Sequence, residues 1–323
     1  MAGAGTMSAA IAALAGEFTA MRRSLGYRSP SQERAVRSLA RYLDQAGIGA
    51  PVPLQASLDW AASTTSADPR NPARRLAVVR VFLRHLAALD GATGVPPPGL
   101  LGPTLRRTPP HVYSGDEIAG LLDAAAGLAP AGGLRPHAYT TLFALIACTG
   151  MRISETLMLA CADVDLEQGV ITVRAGKRGR TRIIPLHPTA LAPLRGYAAG
   201  RARRFGPPGG SEAFFRTDAS DKISYGAASC TFTSLRVQLG WTAEGRARVP
   251  RVHDLRHSMV VRRIQAWHAE GADVDAKIAV LATYLGHQEM RDVYWYLSSV
   301  PELMSIIACR FEDFAAADPA GAS

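Results

Sequence analysis

Thr149-Gly150-Met151-Arg152-Ile153-Ser154-Glu155 is the stretch on which the reading of this chain turns. Helical patterns run on both sides of it, over about 136–148 and 152–160, so Thr149-Gly150 places Arg152 at a helix entry. Backbone N–H groups at such an entry face any anion held there. Taken alone, Arg152 reads equally as a surface arginine tied to Glu155, three residues on. Its company changes that reading. Downstream lie His253-Asp254-Leu255-Arg256-His257, then Leu285-Gly286-His287, then Tyr296 nine residues after His287. His253 and Arg256 stand three apart, on one helix face or its first turn, and can both reach a single phosphate.

Between the arginine motif and the histidine motif the pattern changes period. Val170-Ile171-Thr172-Val173-Arg174 and Arg182-Ile183-Ile184-Pro185-Leu186 are short and β-branched. They flank the basic, turn-rich Gly176-Lys177-Arg178-Gly179-Arg180, which predicts a β-hairpin with Lys177 near its tip. Residues 168–211 hold nine Lys/Arg and no Asp/Glu, so the hairpin centres a basic stripe. Such a stripe is either a solvated loop or a surface for backbone phosphates, and Arg178, Arg180 and Arg182 are its candidate contacts.

The rest of the chain reads as helix: about 188–204, 224–239, 253–269, 273–285 and 289–314. Ser114-Gly115-Asp116-Glu117 is a capping-box pattern ahead of Ile118, Leu121 and Leu122. Upstream, helical spacing covers about 6–26, 31–47, 58–62 and 72–89, with no strand signal before residue 100. This first region is rich in arginine, Arg74 and Arg75 included, which is either a solvated basic surface or a surface for a polyanion. Gly91 to Pro110 carries Pro96-Pro97-Pro98, Pro103 and Pro109-Pro110, which predicts an extended linker, because proline fixes φ and lacks the amide donor. Arg106 and Arg107 inside it are placed to touch phosphate.

Bulk properties agree with this layout. A chain of 323 residues with 48% hydrophobic content fills two cores rather than one. A formal charge of +9 and a pI near 9.8 suit a polyanionic partner. Lysine occurs only at positions 177, 222 and 277. Cys148, Cys161, Cys230 and Cys309 show no zinc-type spacing and predict reduced, mostly buried thiols. No apolar run approaches membrane-spanning length, and the N-terminus lacks a signal-peptide pattern. These features predict a cytoplasmic protein, nucleoid-associated in a bacterium, with no membrane partner.

Arg152, Lys177, His253, Arg256, His287 and Tyr296, in this order, resemble the catalytic set of a tyrosine recombinase of the phage-integrase superfamily. The resemblance covers residues 110–310 by motif and 6–105 by helical pattern only. It implies a mainly α fold, α+β in the C-terminal domain. A SAM-like helical core-binding domain (1–90) that clamps DNA is followed by a linker (91–112). An integrase-type catalytic domain with a small antiparallel sheet (113–318) and a short tail (319–323) complete the chain. Val293-Tyr294-Trp295-Tyr296-Leu297 followed by Pro301-Glu302 resembles the transposon-associated branch.

The same resemblance implies the roles. Arg152 and Arg256 hold the scissile phosphate, Glu155 supports Arg152 from behind, and His253 and His287 complete the pocket. Lys177 protonates the leaving 5′-oxygen, and Tyr296 is the nucleophile that forms a 3′-phosphotyrosyl link. Guanidinium suits the phosphate role because its planar fork donates paired hydrogen bonds and never deprotonates. With two of them on the phosphate, no metal, cofactor or ATP is expected. Expected partners are double-stranded DNA, a homo-tetramer in the synaptic complex, and companion recombinases or accessory DNA-bending proteins. Two rival readings share much of this pattern: a type IB topoisomerase-like relaxase, and a DNA-binding accessory protein without catalysis.

Overall fold

The computed structural model describes residues 4–27, 29–104, 109–174, 181–243 and 249–286, with side chains from residue 11 onward. The chain divides into two compact units, Met1–Arg107 and Thr108–Ser323.

The first unit is helical throughout its described residues: α1 (Ala4–Ser24), α2 (Pro30–Gln45), α3 (Leu54–Ala62) and α4 (Asn71–Asp90). Ser29 opens α2 by accepting the Gln32 amide, with Pro30 in the first turn, where its missing donor costs nothing. Gly91 closes α4 in the left-handed conformation, φ 67°. Ile11, Phe18, Val36, Leu39, Leu43, Trp60, Leu76, Phe82 and Leu83 form one core. Each such side chain contributes roughly 1.5–3 kcal/mol relative to an exposed one.

Residues 92–96, which the prolines predicted as part of an extended linker, are held to this unit. Gly94 donates to the Val52 carbonyl at 2.8 Å, and Val52 donates to Thr93 Oγ1 at 3.0 Å. Arg80 Nε donates to the Pro96 carbonyl at 2.9 Å. Proline denied this stretch its own ladder, so Val52 and Arg80 supply hydrogen bonds to it instead.

The second unit is built on α6 (Leu134–Thr149), which is apolar on nearly every side and therefore buried. Packed around it are α5 (Gly115–Ala126), α8 (Pro188–Phe205) and α10 (Val252–Ala269), with α7 (Ile153–Leu157) just beyond its end. Ser114 and Glu117 form the expected reciprocal cap on α5, at 3.0 and 2.7 Å. A three-stranded antiparallel sheet has the order β1 (Val164–Asp165), β2 (Val170–Val173), β3 (Arg182–Pro185). The β2–β3 pairing sets Ile171 opposite Ile184 and Val173 opposite Arg182. Ile171, Val173 and Ile184 point into the core, as a period of two requires. The hairpin is as expected; the short β1 is an addition that only its pairing reveals. Helices α9 (Tyr225–Gln238) and α11 (Val274–Leu285) complete the described part, α11 packing against β3 and α10.

Among the described cysteines, Cys148 and Cys230 are exposed and Cys161 is half-buried, all three free thiols. The expectation of mostly buried thiols is thus corrected. Cys148 falls on the outward side of the last turn of α6, where it donates to the Leu145 carbonyl. Among the described residues, no helix is long and apolar enough to cross a membrane.

Candidate active site

Three helix ends meet at one point of the second unit. Helix α6 stops at Gly150, whose φ of 66° turns the chain out of the helix. Arg152 then caps α7 in an extended conformation. The Glu155 carboxylate, one turn into α7, accepts the Arg152 amide at 3.0 Å and Arg152 Nη1 at 2.8 Å. A carboxylate at the third helical position answers the orphan amides of a helix start and favours the positive end of its dipole. Asp254 repeats the device at α10, accepting the Arg251 amide at 2.9 Å.

The third helix end is the C-terminus of α11, where carbonyls have no helical partner. Three successive carbonyls there each accept a guanidinium. Arg182 Nε donates to Tyr284 O at 3.0 Å, Arg256 Nη2 to Leu285 O at 2.9 Å, and Arg152 Nη2 to Gly286 O at 3.5 Å. The negative end of the helix dipole favours cations at this place. The three arginines come from β3, α10 and the start of α7, so folding alone assembles them.

Arg256 is the most enclosed, 1% exposed, and its Nη1 donates to the Gly150 carbonyl at 2.6 Å. It therefore joins the C-terminal ends of α6 and α11, and carbonyls at both keep a buried charge solvated. Arg152 is 30% exposed at its side chain, so its guanidinium is reachable from outside. Glu155, 9% exposed, also receives Arg182 in a two-pronged pair, Nη2 to Oε2 at 2.7 Å and Nη1 to Oε1 at 3.2 Å. Burial alone would raise the Glu155 carboxyl. Hydrogen bonds and charge from Arg182 and Arg152 outweigh burial and hold the group at about 2.

His253 lies half-buried in the first turn of α10, its ring edge-on to that of His257, with centroids 4.6 Å apart. His257 Nε2 approaches Asp254 Oδ1 at 3.9 Å. Ser258, fully buried, takes the Tyr113 amide at 2.7 Å and passes a bond to Asp254 O at 2.8 Å, anchoring α10 to the strap before α5. Tyr284 packs in the apolar wall, where burial pushes its phenol up to about 12.

The structure thus brings together Arg152, Glu155 and Arg256, with His253 one turn from Arg256. Arg182, expected on backbone phosphates, is instead engaged inside the unit. In the first unit, Arg75 stacks on Trp60 at 4.3 Å, and Arg74 pairs with Asp68 at 2.5 Å. Lys177, His287, Tyr296, Arg106, Arg107, Arg178 and Arg180 lie outside the described residues. Sequence reasoning missed the framing part of Arg182. Its signal was an arginine at the first position of an otherwise apolar strand, the position that pairs with the buried Val173. Among the described residues, no group of three or more His, Cys, Asp or Glu could hold a metal ion.

The phage integrase family model matches residues 113–302, more than half of the chain. The chain belongs to that family. Two Sinorhizobium fredii proteins named as integrase/recombinases, y4rB and y4rE, are each 34% identical to it. The alignments span 92% and 90% of this chain and 95% and 92% of the relatives. Tyrosine recombinase XerD of Caulobacter vibrioides is 30% identical over 71% of this chain and 70% of its own length. Among solved structures, the Tn1549 transposon integrase in complex with a circular intermediate DNA aligns with a TM-score of 0.60 at 16% identity. That alignment covers 91% of this integrase-family chain and 99% of the other. The lambda integrase dimer bound to a COC′ core site gives 0.60 at 14% identity, covering 89% and 77%. At those identities the likeness speaks for the shared tyrosine-recombinase fold.

Proposed function

We propose that this chain is a site-specific DNA recombinase that cleaves and rejoins strands through a 3′-phosphotyrosyl intermediate on Tyr296. The observation that carries the reading is the convergence of Arg152 and Arg256, from different elements, on the adjacent carbonyls of Gly286 and Leu285. These are the residues that lead directly into His287. Two cations held this way present a fixed positive field to one phosphate, and phosphoryl transfer asks little of a protein beyond position and charge.

The steps follow from the chemistry of the side chains. The Tyr296 hydroxyl loses its proton, its oxygen attacks phosphorus in line, and the P–O5′ bond breaks. Lys177 gives a proton to the departing 5′-oxygen. Arg152 and Arg256 neutralise the charge that builds on the non-bridging oxygens, and His253 and His287 donate to them or carry the nucleophile's proton. The phosphotyrosyl ester retains the bond energy, so a 5′-hydroxyl from a second strand reverses the steps and joins a new partner. Double-stranded DNA is the substrate, a tetramer on two sites is the working assembly, and the helical first unit is the core-binding half of the clamp. Companion recombinases or DNA-bending proteins would set direction.

Tyr296→Phe tests the reading, because it retains ring and packing and removes one oxygen. On a nicked suicide substrate, where loss of a short 5′-end traps cleavage, wild type should accumulate a covalent adduct and the variant none, with equal DNA binding. An adduct that persists in Tyr296→Phe, or maps to Tyr294, would overturn the assignment.

A further inference from the structure

Resting on the cleavage reading above, we infer that Arg182 is a positioning residue of the reaction: it holds Arg152 in place and leaves that arginine's charge available to the phosphate. Three features of the guanidinium lead here. Each of its three nitrogens donates within the protein, both terminal ones to the Glu155 carboxylate and Nε to the Tyr284 carbonyl. Its side chain is 14% exposed, and its terminal nitrogens rest on a carboxylate, so its charge is already answered within the protein. Its flat face lies against Gly286, where an added Cβ would come within 2.9 Å of Nη1.

Charge shows what the contact accomplishes. Glu155 Oε1 is shared between Arg152 Nη1 and Arg182 Nη1. With Arg152 alone, the carboxylate would form a neutral pair and cancel much of the field that a phosphate should meet. With Arg182 present the triad carries a net +1, so Glu155 can orient Arg152 without neutralising it. Arg182 stands first in β3, two residues after the hairpin loop that carries Lys177, and it grips the turn that leads into His287. One side chain thus ties three parts of the proposed catalytic set to a common frame. A misplacement of about 1 Å in such a set costs about 100-fold in rate.

The test uses the full chain and single-turnover adduct formation on the suicide substrate, with either an ordinary scissile phosphodiester or a methylphosphonate. The methylphosphonate replaces one anionic oxygen by methyl, so it needs less guanidinium charge. Arg182→Ala should bind DNA normally, with unchanged salt dependence, and form adduct about 100-fold more slowly on the phosphodiester. On the methylphosphonate its deficit should shrink to about threefold or less. Arg182→Lys keeps charge without the fork, and should fall between wild type and Arg182→Ala; it also serves if the alanine variant does not fold. A salt slope lower by about 0.9 with rate loss that tracks binding would make Arg182 a phosphate contact instead. An equal deficit on both substrates would make it scaffold only. Either result overturns the inference while wild type still forms adduct. Absence of adduct in wild type would remove the cleavage reading and this inference together.

Discussion

Arg182 and Gly286 are so close that a Cβ on the glycine would lie 2.9 Å from Nη1 of the arginine. The glycine also has φ 67°, a conformation that side chains disfavour. Two independent demands therefore fall on the residue before His287: the helix must stop in the left-handed region, and the turn must leave space for a guanidinium.

Gly286→Ala should violate both demands at once. The backbone penalty is about 1–2 kcal/mol, which lowers the melting temperature of a unit of this size by about 2–8 °C. Adduct formation should fall further than stability does, because Arg182 must shift to admit the methyl group. Thermal melts beside adduct rates at a temperature where both proteins are folded separate the two effects; an unchanged rate would contradict the geometry.

Arg256 and Arg152 should differ in what their loss does to the fold. Arg256→Gln removes a buried cation bonded to the ends of two helices, where a charged hydrogen bond contributes about 1.5–3 kcal/mol. Its melting temperature should drop by several degrees. Arg152→Gln, at a part-exposed site, should melt close to wild type. Both should form no adduct. Equal melting temperatures would show that Arg256 contributes nothing to joining α6 and α11.

The Glu155 carboxylate gives a pH signature. Its folded value of about 2 lies below the ordinary carboxyl value of 4.5. A depressed carboxyl stabilises the fold above its unfolded value, and that stability is lost as pH falls through the folded value. The difference in urea midpoint between wild type and Glu155→Gln should be constant from pH 7 to about 5 and shrink between about 4.5 and 2. A difference that grew toward acid pH would reverse the sign and refute the pairing.

Lys177 has a chemical test of its own. Lys177→Ala should slow cleavage strongly when the leaving group is a 5′-hydroxyl and little when it is a 5′-thiol, which departs with less need of a proton. Equal loss on both would take Lys177 out of the acid role. Arg178→Ala should chiefly weaken binding and reduce the salt slope by about one.

Much of this was legible in the sequence, because it is local. Helix caps such as Ser114 with Glu117, the strand alternation of Val170–Val173 and Arg182–Pro185, and the glycine stops at 91, 150 and 286 depend on a few neighbouring residues. Helical pattern placed Arg152 at a helix entry and His253 with Arg256 three apart on one helix, and they stand at the cap of α7 and in the first turns of α10. Which arginine turns outward and which turns in could not be read, since a guanidinium suits a phosphate and a helix C-terminus alike. Arg178, Arg180 and Arg182 look equivalent along the chain; Arg182 is distinguished by Glu155 and Tyr284, 27 and 102 positions away. The prolines of 96–98 announced a stretch without its own hydrogen bonds, while only packing decided that Arg80 and Val52 would supply some of them. Sequence by itself determined the elements and the chemistry available to them. Tertiary structure decided how the charges were spent, because the low-dielectric meeting of three helix ends exists only once the chain has folded.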